Sequence, residues 1–277
     1  MKHLPRILIA SILPAAIVAV WVVAADRSPI IPAMGEVWAV LCDPFAAPKF
    51  LDTTSLGHGV AISLLRVALG LGLAVVVGIP LGVAMGISRS VRDALSPMVS
   101  VMVAVSPIAW LPISILIFGL TSPATLLAGH DAWEYDTLDR LRFAVVTIIA
   151  LGSLGPILLN TSAGVRHVRE SWCEQVRLLG GGRWEVFRHA VLPGAMGSIV
   201  TGLRLATAIA WRVIVAAEIF PGTQSGLGCM ISSAHEVGKY EYAFAAILAI
   251  AAIGLGLDAL LRLWETRTNH WRRKERG

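Results

Sequence analysis

The chain has 277 residues, 56% of them hydrophobic and only 15% charged, with a mean hydropathy of +0.73, whereas a soluble domain carries roughly 25% charged residues. These figures argue against a water-soluble globule and exclude disorder, which needs low hydrophobicity and high charge. Three cysteines in so long a chain exclude a disulfide scaffold, and what remains is a polytopic all-α membrane protein.

A hydrocarbon core about 30 Å thick takes about 20 apolar residues to cross, and six spans are predicted in order. The first runs from Ile7 to Ala25. Lys2, His3 and Arg6 precede it as in a signal peptide, but five further spans follow and it reads as a retained helix. The second, from about Gly59 to Ile87, places Gly70, Ala74, Gly78, Gly82 and Gly86 four residues apart, a spacing that lets helix backbones approach closely in lipid.

Pro80 in the second span, and Pro107 and Pro112 in the third (about Pro97 to Leu120), each remove a backbone donor and are expected to bend or break their helices. Ser106, Trp110 and Ser114 recur every fourth residue there, suited either to lining a path or to a packing seam. An acidic and aromatic connection over 121–142 follows and reads as a solvated extracytoplasmic cap. Its His130, Asp131 and Glu134 are too weak a pattern to assign a metal.

The fourth span is Phe143 to Val165, the fifth about Gly197 to Phe220 and the sixth about Tyr242 to Leu263. On the fifth, Gly194, Ser198, Gly202, Ala206 and Ala210 repeat the small-residue spacing, so a close neighbour is expected. Between the fourth and fifth, the connection 166–195 is too charged for lipid. It reads as a surface helix from Val168 to Leu179, a break at Gly180, Gly181 and Gly182, and a short second helix from Arg183 to Val191 closed by Pro193.

Basic residues are retained on the cytoplasmic side. Fifteen of them fall on the two ends and the even-numbered connections, against five on the opposite side, and three (Arg66, Arg204, Arg212) lie inside spans. Both termini are therefore expected in the cytoplasm, and the net charge of +5 is accounted for by topology rather than by nucleic acid.

Several runs resemble a known family. Glu174-Gln175-Val176, then Gly180, then Leu192-Pro193 fits the spacing of the EAA loop in permease subunits of bacterial ABC importers. "SLLRVALGLGLAVVVGIPLGVAMGISR", "SPIAWLPISILIFG", "PILLNT", "GLRLATAIAWRVIVAAEIF" and "GLG" resemble, in order, the branch importing nitrate, sulfonates and taurine.

The resemblance implies the type I importer permease fold as a single transmembrane domain over 1–277, in a multi-pass protein of the bacterial inner membrane. It implies a homodimer in which residues 166–195 dock two copies of a separate ATPase, fed by an extracytoplasmic substrate-binding protein. Glu174 to Gly180 would form the coupling helix. ATP and magnesium would then be held by the partner ATPase and no cofactor by this chain, which has no G-x-x-x-x-G-K-[ST] phosphate loop. Gln175 and Val176 replace the family's two alanines, and Arg212 stands where the family pattern has a small, hydroxyl or methionine residue after Trp211.

Ionisable residues within a span are functional candidates. Thr201, Arg204, Thr207, Trp211, Arg212 and Glu218 fall within an arc of about 140° on the fifth span, a polar stripe suited to a water-filled translocation path. The arginines favour an anion, because guanidinium matches oxyanion geometry with paired donors. Each has a structural alternative: Arg204 bonding to carbonyls or reaching the interface, Glu218 as a counter-charge to Arg66, and Arg212 paired with Glu218. With Ser106 and Trp110, these residues make up the candidate path.

The expected function is ATP-driven import of a small, anionic solute by alternating access. A thiamine-precursor pyrimidine is an alternative cargo. A membrane enzyme would need a motif such as H-E-x-x-H or G-x-S-x-G, which the sequence lacks. A secondary carrier would show inverted repeats and paired acidic residues at the midplane; only Glu218 and Asp258 approach that, and both sit near span ends.

Overall fold

A computed structural model describes residues 16, 18–28, 30–46, 48, 55–119, 121–122, 141–220 and 225–268. Every regular element among them is a helix, with no strand. Much of the first expected span lies outside these residues, as does most of the 121–142 connection; what is described of that span is helix α1 over residues 18–27. Among the described residues, four helical runs are long and apolar enough to cross a membrane, Leu56–Ile87, Phe143–Arg166, Arg183–Ile219 and Tyr240–Arg267, and the bent pair Arg89–Ala104 and Pro107–Phe118 makes a fifth if it is one span.

The described residues of Met1–Ala61 and Gln224–Ala251 form one compact unit, and those of Ile62–Thr223 and Ala252–Gly277 a second. In the first unit, α1 leads to α2 (Met34–Cys42), and α10 (Leu227–Val237) ends at Gly238 with φ 74°. The Trp21 indole donates to the Pro32 carbonyl at 3.1 Å and its ring stands 5.2 Å from that of Phe244. Cys42 and Cys229 are both free thiols, so a bridge between them is not formed.

The second unit is organised around α6 (Phe143–Arg166), whose residues from Ala144 to Val165 are mostly buried. Along one side runs α3 (Leu56–Ile87). A Cβ added to Gly70, Gly78, Gly82 or Gly86 would meet Ile149, Ile157, Thr161 and Val165 respectively at 2.5–2.9 Å. Both series rise together, so α3 and α6 are parallel, in register over four turns, and the backbones touch because no side chain separates them. Pro80 does not break α3, which continues through it to Ile87.

On another side α9 (Leu192–Ile219) runs antiparallel to α6. Ser198 meets Gly164, and Gly202 meets Asn160 and the Pro156 carbonyl. Ala206 and Ala210 have no exposed surface. The small-residue spacing of the fifth span is thus the seam against the fourth.

The third span departs from the expected single helix. Helix α4 (Arg89–Ala104) begins directly after Ser88, whose hydroxyl accepts from the Val91 N–H, and its axis is bent 98° from the Pro107–Phe118 segment. Val105 (ψ 129°) and Ser106 (ψ 130°) both leave the helical region, and at Ser106 the Pro107 ring disfavours the α conformation of the residue before it. A 3-10 turn (Pro107–Trp110) then leads into α5 (Leu111–Phe118), where Pro112 sits in the first turn and starts the helix rather than breaking it.

Candidate functional site: one unpaired arginine among the spans

The three arginines inside the spans have different surroundings. Arg66 on α3 has no exposed surface, and its Nη1 lies 2.8 Å from Oε1 of the equally buried Glu218 on α9. The Ser63 hydroxyl, one helical turn before Arg66, donates to the Glu218 carboxylate at 2.9 Å. An isolated charge here would cost several kcal/mol in desolvation, which the pairing and the extra hydrogen bonds offset. Arg66 and Glu218 thereby form a buried link between α3 and α9.

Arg204 is held by α11 (Tyr240–Thr268). Its Nε donates to Asp258 at 3.0 Å and its Nη1 to Glu265 at 2.8 Å, while the Thr201 hydroxyl donates to Glu265 at 2.7 Å. Arg262 closes the set with a 2.7 Å bridge to Asp258. Trp211 packs on the same helix, where a Cβ at Gly254 would come within 3.0 Å of its Nε1. The Thr207 hydroxyl donates to the Leu203 carbonyl. Sequence reading missed these acidic partners, although Asp258, Arg262 and Glu265 recur at helical spacing on α11 and so mark one charged face.

Arg212 differs. Its Nε donates to the Ala208 carbonyl at 3.1 Å, and no acidic side chain pairs with it among the described residues. Glu218, six residues on, is engaged by Arg66. The polar stripe therefore divides: Thr201, Arg204 and Trp211 meet α11, Glu218 meets α3, and Arg212 has no acidic partner among the described residues.

Arg212 lines two cavities. One, of about 360 Å³, lies between α9, α6 and the break in the third span, and Ser106 lines it as well. The other, of about 270 Å³, is bounded by α9 and α11 and includes Arg204, Trp211 and Asp258. Ser106 and Arg212, both candidates from sequence, are brought together on the first. Trp110 lies in the adjoining 3-10 turn, outside that lining, and Ser114 is buried.

The connection 166–195 forms α7 (Glu170–Leu178), a glycine turn and α8 (Arg183–Val186). Gly180 has φ +84°; its N–H donates to the Arg177 carbonyl and the Gly181 N–H to that of Val176, five residues back. That pair of bonds closes a helix end that needs a left-handed residue, which glycine adopts without a Cβ penalty. Glu174 and Gln175 are exposed and Val176 is half-buried. Leu178 and Leu179 are 86% and 89% exposed, and Trp184 is 64% exposed.

Pro193 does not close the second short helix as expected. A widened turn over Phe187–Val191, with the Leu192 N–H donating to the Phe187 carbonyl, carries the chain into α9 as one continuous run. The proline falls in the first turn of α9, where its missing donor is least costly.

Residues 74–270 match the model of a family described as binding-protein-dependent transport system inner membrane component. The chain belongs to this family. It is the permease subunit of an ABC transporter, a multi-pass protein of the inner membrane.

The permease is 33% identical to a putative ABC transporter permease protein of Methanocaldococcus jannaschii, over 94% of this chain and 91% of the relative. It is 32% identical to the taurine transport system permease protein of Escherichia coli, over 82% and 74% of the two chains. It is 30% identical to a putative aliphatic sulfonates transport permease protein of Bacillus subtilis, over 96% and 88%. Its fold is similar to the crystal structure of an amino acid ABC transporter with histidines, with a TM-score of 0.55, 21% identity, and coverage of 76% of this chain and 92% of that one.

Proposed function

We propose that this permease imports a small anion by alternating access, and that Arg212 is the residue in each copy that meets it. The observation that carries the reading is that Arg212 has no acidic partner among the described residues, whereas Arg66 and Arg204 are both ion-paired. A cation in a membrane span is costly unless it is compensated, and a passing anion supplies the compensation. The relatives named for taurine and aliphatic sulfonates handle anionic groups, in keeping with this.

In this reading the whole chain is one transmembrane domain of six spans with both termini in the cytoplasm, and two copies form the pathway. Residues 166–195 dock two copies of a separate ATPase through Glu174, Gln175, Val176 and Gly180 on one arm and Leu192 and Pro193 on the other. The exposed Leu178, Leu179 and Trp184 supply apolar contact area. ATP and magnesium bind at that partner, this chain holds no cofactor, and a substrate-binding protein delivers solute at the outer face, where the 121–142 connection lies. The test is reconstitution in proteoliposomes with the ATPase subunit and binding protein. Anion uptake that requires ATP and both partners is expected; uptake that persists without the ATPase contradicts the reading.

A further inference from the structure

We infer that α2 is an in-plane membrane anchor. It lies along the bilayer surface on which α3 and α11 begin, with Met34 and Trp38 inserted where lipid headgroups meet acyl chains. Its placement is independent of the role of Arg212.

Both ends of α2 are held at one level. Arg204 meets Glu265 and Trp211 meets Gly254, so α11 is antiparallel to α9, hence parallel to α6 and α3, and α3 and α11 enter the membrane from the same surface. Tyr240 and Tyr242 in the first turn of α11 suit that level, since aromatic residues with a polar tip collect at the interface. At the start of α2, the Trp21 indole donates to the Pro32 carbonyl, and its ring stands 5.2 Å from that of Phe244, which is about 6 Å along α11 from Tyr240. Helical side chains lean toward the N-terminus of their helix, so the Trp21 indole points away from the end of α1 at Arg27, and the chain has folded back beside α1 to meet it. After α2, the Pro44 carbonyl accepts from the Gly57 N–H in the first turn of α3 at 2.6 Å, and the Phe45 ring packs against the side of Gly57 that lacks a side chain. A nine-residue helix spans about 13 Å, and with both ends at the same level it lies in the membrane plane.

The faces of α2 match three surroundings. At about 100° per residue from Met34, Trp38 lies at about +40°, Val37 at about −60°, and Asp43 and Glu36 at about 180° to 200°. Val37 is 2% exposed and faces the protein. Glu36 and Asp43 are exposed on the opposite side, with the Glu36 carboxylate accepting from the Ala33 N–H. Between them Trp38 is 65% and Met34 40% exposed. This apolar strip continues the one that Val18, Val20 and Val22 present on α1, so lipid is its occupant. The Trp38 ring suits the acyl boundary while its indole N–H reaches the headgroups. With two acids and no lysine or arginine on α2, the attachment is apolar rather than a basic helix's attraction to anionic lipid.

The test is spin labelling of the full-length permease in phosphatidylcholine vesicles, reading collisions with oxygen, which concentrates in lipid, and with a water-soluble nickel chelate. Labels are placed singly through Met34→Cys, Glu36→Cys or Trp38→Cys in a chain carrying Cys42→Ser, Cys173→Ser and Cys229→Ser. The native Cys42, at the edge of the lipid face, is labelled with only Cys173→Ser and Cys229→Ser present. Labels at positions 34 and 38 are expected to meet oxygen severalfold more than nickel, and the label at 36 the reverse. The Cys42 label is expected to meet both reagents, and it decides the matter alone if the other variants fail to fold, since access to nickel only would overturn the anchor. A label at 38 that meets mainly nickel places α2 in water and overturns it too; nickel access that is then lost on adding the substrate-binding protein assigns the face to that partner. Little collision with either reagent at 38 means that a second copy of the chain covers the face, which also contradicts the anchor.

Discussion

Arg66 and Glu218 are joined at 2.8 Å with neither side chain exposed, and this pairing between α3 and α9 is what leaves Arg212 without the acidic residue nearest to it in sequence. Two helices that are distant along the chain are tied at one point, and the carboxylate six residues after Arg212 is taken up by Arg66. The energetics of the pair follow from its burial. Removing one partner strands a charge in a water-free site, which typically costs 3–5 kcal/mol, whereas replacing both with apolar residues of similar volume is close to neutral.

Glu218→Gln is therefore expected to lower the stability of the permease by about 3–5 kcal/mol, and the double variant Arg66→Met with Glu218→Leu to recover most of that loss. Unfolding by titration with sodium dodecyl sulfate, followed by circular dichroism, measures both. A single variant as stable as wild type would show that the pair is not the tie described.

The parallel seam between α3 and α6 gives a prediction with an internal control. A Cβ at Gly82 would stand 2.7 Å from Thr161 Cβ and 3.1 Å from the Leu158 carbonyl, whereas Gly72 has nothing within 4 Å. Gly82→Ala is expected to cost about 1–3 kcal/mol through overpacking, and Gly72→Ala to be neutral or slightly stabilising, since alanine favours the helix. The same denaturation assay separates them, and equal effects would remove the close approach as the explanation.

Gly180 is held at φ +84° with open space where a Cβ would point. Gly180→Ala should therefore act through backbone strain, on the order of 1–3 kcal/mol for a non-glycine residue held in that region, and should reshape the turn between α7 and α8. The expected outcome is a stability loss of the isolated permease on the order of 1–3 kcal/mol, together with weaker coupling of ATP hydrolysis to transport in the reconstituted complex under conditions where the variant is still folded. Wild-type coupling would show that the turn is not part of the docking surface.

Much of this architecture was legible in the sequence, and the parts that were not share a cause. The runs that became α3, α6, α9 and α11 were found because a long apolar stretch has one stable form in lipid, the helix. The glycine spacing foretold that α3 had a close neighbour, but not that the neighbour was α6 or that they ran parallel, because a stripe on one helix carries no information about its partner's register. Pro107 pointed to a disruption of the third span, while the size of the bend depends on Val105 and Ser106 both leaving the helical region.

The stripe on α9 shows the same limit at the candidate site. Projection on a helical wheel grouped Arg204, Arg212 and Glu218 on one face, yet over that length α9 meets α11 at one level and α3 at another. Residues on one face thus received different partners, and only tertiary contacts could assign Asp258 and Glu265 to Arg204 and give Arg212 no acidic partner among the described residues.

The central claim, that Arg212 is the anion contact of this permease, is tested most directly by uptake of a labelled alkanesulfonate into proteoliposomes containing the complete transporter, wild type or Arg212→Gln. A hydrogen bond to a charged group contributes about 1.5–3 kcal/mol, so the account predicts a loss of apparent affinity on the order of 10-fold to 100-fold, with the ATPase subunits still bound. An unchanged apparent affinity for the anion in Arg212→Gln would contradict it.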